Sequence, residues 1–211
     1  MGITTSQVDY KLYLVTDREV LGTRDLINSI EEAIKGGTTI VQLREKNCSS
    51  LEFYKLAIQV KEVTTKYNIP LVINDRLDIA LAIEADGLHI GQEDLPITVA
   101  RKLVGENMFI GVSATTLEEA LIAQEQGADY VGIGSMYPTS TKLDAKYVTL
   151  DELKQIREAI SIPIVGIGGI SEENVAELMA TKIDGVAIVS AILGKENIKT
   201  ATESIMNIIN K

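Results

Sequence analysis

The chain has 211 residues, enough for one sizeable domain and short of two ordinary ones, and at 45% hydrophobic and 24% charged it has the make-up of a folded globular protein rather than a disordered one. Its formal charge of −10 disfavours nucleic acid and anionic membranes as partners, and a single cysteine and a single histidine exclude both an intrachain disulfide and a Cys/His zinc site. The first ten residues lack a cationic start followed by an apolar run, and no apolar stretch is long enough to span a bilayer, so a soluble, cytoplasmic protein is expected.

In chain order, short β-branched runs alternate with longer amphipathic ones. Strands are predicted at 11–16, 39–44, 71–74, 87–90, 109–113, 130–134, 163–167 and 185–189, apolar along most of their length as suits strands buried on both faces. Helical spacing is clear over 51–67, 117–126, 150–160 and 172–179. In the first of these, Leu51, Tyr54, Ile58 and Val63 are expected inside, with Ser50 as the cap. Thr116 and Ser171 stand where other caps are expected, and Gly36, Gly37 and Gly127 where helices end. Eight strand–helix units of about 26 residues match the period of a (β/α)8 TIM barrel; a doubly wound open sheet is the other architecture with this local pattern. The barrel is preferred because the count reaches eight with no long segment left over. A single domain over 1–211 is expected, with 1–9 peripheral, and the sequence leaves monomer and homo-oligomer open.

Such barrels bind ligands where strands end, so polar residues interrupting the apolar pattern there are candidates. The second strand runs into Gln42-Leu43-Arg44-Glu45-Lys46. Residues 42, 44 and 46 share a side if the chain stays extended, and two cations there suit a phosphorylated anion; a solvated charge cluster is the plainer alternative. Asp75 and Asp94 follow the third and fourth strands and could share a hard cation such as Mg²⁺ if phosphate completes the shell, or could simply cap helices. Ser113 ends the fifth strand. Thr139, Ser140, Thr141 and Lys142 form a donor-rich loop after the sixth, which reads equally as an ordinary polar loop. Glycines around Gly169, with Val189 and Ser190 after the last strand, suit a phosphate approached by backbone N–H groups, or else tight turns alone. His89 reads as a satisfied interior residue and Cys48 as a small apolar filler.

QLREK (42–46), NDR (74–76), DGLHIGQEDLP (86–96), GVS (111–113), PTSTK (138–142), GIGGI (166–170) and GVAIVSAI (185–192) together resemble the thiamine-phosphate synthase family, in family order and over nearly the whole chain. That resemblance implies a Mg²⁺-dependent transferase joining a pyrimidine diphosphate to a carboxylated thiazole phosphate, with pyrophosphate leaving first. It implies that Gln42, Arg44, Lys46, Asn74, Ser113 and Lys142 meet the pyrimidine diphosphate. Leu43 and Glu45 lie within the same substrate-binding run, Asp75 and Asp94 hold Mg²⁺, and Thr139, Ser140, Thr141, Gly169, Val189 and Ser190 meet the thiazole phosphate. Arg44, Lys46, Ser113 and Lys142 are the expected catalytic set. Ser135 stands where the family commonly has Pro. A thiazole tautomerase of the same fold is the second reading, ranked lower because that branch typically lacks the full cation and carboxylate set.

Overall fold

A computed structural model describes residues 8–139 and 146–211. Among them, eight parallel strands close into a barrel in sequence order: β1 (Leu12–Val15), β2 (Ile40–Leu43), β3 (Leu71–Asn74), β4 (Gly87–Ile90), β5 (Phe109–Ala114), β6 (Tyr130–Ile133), β7 (Ile164–Ile167) and β8 (Gly185–Ile188), with β8 pairing back to β1. The doubly wound alternative is thereby excluded. The helices around it are α1 (Arg18–Leu21), α2 (Leu26–Lys35), α3 (Ser50–Lys66), α4 (Leu77–Ala82), α5 (Ile97–Val104), α6 (Leu117–Glu125), α7 (Leu150–Ala159), α8 (Val175–Met179), α9 (Ser190–Leu193) and α10 (Ile198–Ile209). None is long and apolar enough to cross a membrane.

Each strand sorts its side chains by alternation. Leu12, Leu14, Val41, Leu43, Ile73 and Leu88 face outward into the layer shared with the helices, while Tyr13, Val15, Ile40, Val72, Phe109, Tyr130 and Val165 fill the barrel. Glycines make room for the large interior rings. A side chain at Gly111 would meet the Tyr130 ring at 2.0 Å, and one at Gly87 the Phe109 ring at 2.6 Å.

A repeated device closes the face opposite the strand ends. Asp86, Asp129 and Asp184 stand just before β4, β6 and β8. Each takes a main-chain N–H at the start of the preceding strand (Leu71, Ile110 or Ile164) on its carboxylate and pairs with a helix cation, Lys61, Arg101 or Arg157 respectively. Before β2 the same place is held by Thr39, whose hydroxyl bonds both Leu12 N and Leu12 O at 3.1 Å. The fold thus repeats strand pairs as well as single strand–helix units.

Several local expectations change. The buried stripe of α3 is Phe53, Ala57, Val60 and Thr64, whereas Leu51 and Tyr54 are exposed; small residues at 57 and 64 let the helix sit close to the sheet. Its cap is Ser49, in a capping box with Glu52, so Ser50 is already helical. Thr116 caps α6 as expected. Ser171 instead opens a turn in which Asn174 Oδ1 accepts its N–H, and α8 starts only at Val175. Val8, inside the stretch expected to be peripheral, packs against the barrel interior, as does Tyr10; residues 1–7 lie outside the described ones.

Candidate active site

The ends of β1 to β5 gather charge. Thr16 fixes the first junction: its N–H donates to Gln42 O and its hydroxyl accepts from Arg44 N at 2.9 Å. Asp17 caps α1 through Oδ1 and accepts Arg44 Nη1 on Oδ2 at 3.1 Å. Arg44 is thereby aimed along the β1 side of the rim. Lys46 turns the other way, its Nζ 2.6 Å from Asp75 Oδ2. The shared side expected for Gln42, Arg44 and Lys46 is not seen, because extended backbone ends at Leu43. Gln42 points into the barrel, Arg44 toward β1 and Lys46 toward β3. Leu43 has its side chain fully buried in the outer layer, so only its main chain could meet a substrate. Glu45 is turned to Arg18, with Oε1 2.7 Å from Nε and its side chain almost entirely covered.

Asp75 follows β3 with φ 60°, its N–H donating to His89 O across the strand pair. The conformation is a left-handed one that Asp tolerates better than most residues. Arg76, not Asp75, occupies the cap position of α4, and Pro96 caps α5, so neither aspartate is spent on capping. Asp94 Oδ2 accepts Gly91 N–H at 2.7 Å, which folds the loop after β4 back over the strand end. Burial raises the pKa of Asp94, and Asp75, close enough for charge repulsion and a carboxyl–carboxyl hydrogen bond, raises it further. Two carboxylates from neighbouring strand ends therefore meet with Lys46 beside them.

This donor set suits a hard divalent cation, which would relieve the disfavoured negative charge on Asp94. Among the described residues no third His, Cys, Asp or Glu joins them. Inward and level with His89 lies Asn74, 9% exposed. Ser113 closes this half of the rim, its Oγ 2.9 Å from His89 Nε2 and its carbonyl accepting from Gln92 Nε2. Cys48 is half-buried against the core, its thiol pKa pushed up by burial, as befits a filler.

The other half of the rim is made by backbone. Gly168 and Gly169 both have positive φ, 99° and 64°, and pack so tightly on the loop after β6 that a side chain on Gly169 would meet Pro138 O at 2.4 Å. Met136 and Tyr137 N–H donate to Ile167 and Gly168 carbonyls across this seam. Ser135 is buried, and its Oγ donates to Tyr137 O at 2.7 Å, which anchors the loop at that position. Val189 is half-buried and Ser190, exposed, begins the short α9. Thr139 is half-buried on the loop after β6; Ser140, Thr141 and Lys142 lie outside the described residues.

His89 is the satisfied interior residue expected, with both ring nitrogens partnered, but the sequence did not single out the two tyrosine hydroxyls beside it. Tyr13 Oη lies 2.8 Å from Tyr130 Oη and 2.9 Å from Gln42 Nε2, and Tyr130 Oη lies 2.9 Å from His89 Nδ1. Burial pushes the His89 pKa down to about 4, keeping the ring neutral near pH 7. Two tyrosines at inward strand positions read as core aromatics; the glycines that vacate space beside them were the available signal.

A parallel barrel with paired carboxylates and cations on one half of its mouth and glycine-rich backbone on the other is a TIM barrel whose candidate site suits phosphorylated ligands. The sequence profile described as thiamine monophosphate synthase matches residues 12–192, and the chain belongs to that family. It is 63% identical over 198 residues to a thiamine-phosphate synthase of Alkaliphilus oremlandii, covering 94% of this chain and 95% of that protein. It is 56% identical over 204 residues to a thiamine-phosphate synthase of Clostridium tetani, covering 97% and 98%. Among solved structures, the thiamine phosphate pyrophosphorylase of Pyrococcus furiosus superposes with TM-score 0.90 at 40% identity, covering 96% of each chain. The chain is an enzyme of the transferase class. These relatives are named as synthases, and nothing in them supports the tautomerase reading.

Proposed function

We propose that this enzyme joins 4-amino-2-methyl-5-(diphosphooxymethyl)pyrimidine to the carboxylated thiazole phosphate, releasing pyrophosphate, carbon dioxide and thiamine phosphate. The observation that carries the reading is the meeting of Asp75 and Asp94, with Lys46 on Asp75, at neighbouring strand ends. The C–O bond to the diphosphate breaks first and its electron pair leaves with pyrophosphate. The pyrimidine methylene cation, fed by the 4-amino group, is then captured by the thiazole nitrogen. Loss of carbon dioxide leaves a ring carbon that takes up a proton.

Negative charge grows on the leaving group, so the proposed roles gather cations and hydrogen-bond donors around it. Arg44 and Lys46 face the diphosphate with Lys142, Ser113 donates to it, and Gln42 and Asn74 orient the pyrimidine. The main chain of Leu43 and Glu45 shapes that wall. Thr139, Ser140, Thr141, Gly169, Val189 and Ser190 hold the thiazole phosphate. Asp75 and Asp94 would hold Mg²⁺, which supplies charge neutralisation for a polyphosphate when bound. No protein nucleophile is needed, so positioning and exclusion of water are the chain's main work. Such an enzyme, using two phosphorylated small molecules, is placed in the cytoplasm.

The test is an assay of the purified protein with both substrates. Thiamine phosphate should form with Mg²⁺ and not after chelation, and the thiazole phosphate alone should not turn over. Product formation indifferent to chelator would contradict the metal role, and turnover of the thiazole alone would contradict the synthase reading.

A further inference from the structure

Four polar side chains that the reaction leaves without a part, or with only one face used, connect the barrel interior to Ser113. The row runs Gln42 Nε2 to Tyr13 Oη (2.9 Å), Tyr13 Oη to Tyr130 Oη (2.8 Å), Tyr130 Oη to His89 Nδ1 (2.9 Å) and His89 Nε2 to Ser113 Oγ (2.9 Å). It crosses β2, β1, β6, β4 and β5, and its first four members are at most 9% exposed.

The direction of such a row is determined by counting protons. A phenol has one to give, and a neutral imidazole has one, on either nitrogen. The Gln42 amide nitrogen can only donate, so Tyr13 accepts from it and gives its own proton to Tyr130. The Tyr130 proton then has one acceptor within reach, His89 Nδ1. The imidazole proton must therefore sit on Nε2, where it is donated to Ser113 Oγ. The serine accepts there, and its own proton remains for a group at the mouth. In the opposite sense Ser113 would give its proton to His89 and present only lone pairs. A diphosphate can only accept, so the first sense alone suits such a ligand.

We propose that Tyr130 and His89 are positioning residues for Ser113: Tyr130 fixes the imidazole as the Nε2–H tautomer, and His89 thereby holds the serine hydroxyl as a hydrogen-bond donor to the diphosphate. This deepens the reading of the site given above and rests on it for the identity of the ligand. Both are buried beneath Ser113, and the role argued for them acts through its hydroxyl. The packing around them supports the arrangement, since Gly111 leaves space for the Tyr130 ring and a side chain at Gly132 would meet His89 Cε1 at 3.2 Å.

Because His89 is the only histidine, ¹⁵N labelling of histidine gives an unambiguous spectrum. Long-range ¹H–¹⁵N correlation of the ligand-free protein at neutral pH should show a protonated Nε2 and a bare Nδ1. A matched pair of variants then separates the relay from packing. Tyr130→Phe removes the donor to Nδ1 and should give a mixture of tautomers, with kcat/KM for the pyrimidine diphosphate down about ten- to a hundredfold, the scale of a hydrogen bond to a charged group. Tyr13→Phe deletes an equally buried hydroxyl one step further back. Tyr130 still has only Nδ1 to donate to, so the Nε2–H tautomer should persist, and any loss in kcat/KM should come through Gln42, whose amide loses its acceptor, and not through the imidazole. An Nδ1–H tautomer or an imidazolium in the unmodified protein would overturn the proposal, as would a mixed tautomer in Tyr13→Phe or an unchanged one in Tyr130→Phe. Should Tyr130→Phe fail to fold, the spectrum of the unmodified protein still decides. That spectrum needs no substrate, so an enzyme that made no thiamine phosphate would sink the proposed function and leave the tautomer result standing.

Discussion

Asp94→Asn is expected to lower the rate of thiamine phosphate formation by on the order of 10²–10³-fold while leaving the melting temperature unchanged or higher. The rate falls because one of two carboxylates for the cation is lost. Stability does not fall, because the Asn oxygen can still accept Gly91 N–H while the charge is removed. That charge is disfavoured by burial first and by Asp75 second. The sign follows from linkage: a carboxyl whose folded pKa is raised destabilises the fold where it is ionised, at neutral pH, and the cost fades as pH falls through the raised value. The melting difference between Asp94→Asn and the parent should therefore be largest near neutrality and shrink on acidification, by calorimetry without ligand. A variant that lost stability and kept its rate would return Asp94 to a structural role.

Gly111→Ala is the expected large stability effect. Its new methyl would stand 2.0 Å from Tyr130 Cζ and 2.4 Å from Oη. Tyr130 is hydrogen-bonded to Tyr13 and His89 and ringed by Tyr10, Tyr13, His89 and Phe109, with centroids 5.1–6.2 Å away, so it has little room to yield. Overpacking here should cost about 3 kcal/mol. For a chain of this size that lowers the melting temperature by roughly 6–12 °C. The displaced Tyr130 would also loosen its hold on His89, so kcat/KM should drop in the folded fraction. An unchanged melting temperature would show that the interior is more yielding than its contacts imply.

The barrel was legible because burial on both faces leaves near-continuous apolar runs, and alternation with helices gives the period away. Strand limits shrank where polar flanks left the sheet: Arg44 bonds to the loop after β1 and is no longer extended, which also scattered Gln42, Arg44 and Lys46. On α3 two large apolar residues misled, since Leu51 and Tyr54 are exposed while Phe53 and the small Ala57 and Thr64 lie inside. The rim carboxylates were legible as interruptions of an apolar pattern, and their meeting in space needed the barrel's register. The interior row was not legible, because Tyr13 and Tyr130 differ from core phenylalanines only by hydroxyls whose partners sit on strands distant in sequence. The clamps at Asp86, Asp129 and Asp184 carried a signal in their recurrence just ahead of β4, β6 and β8. That signal lies in the pairing of strands, and single strand–helix units do not reveal it.

The central claim is that Asp75 and Asp94 act together on a divalent ion accompanying the leaving group. Calorimetric titration of pyrophosphate into the protein, with and without Mg²⁺, tests it most directly. In the parent, Mg²⁺ should tighten pyrophosphate binding by about tenfold or more, worth about 1.4 kcal/mol. In Asp75→Asn/Asp94→Asn that gain should vanish. The same Mg²⁺ enhancement in the double variant would contradict the account.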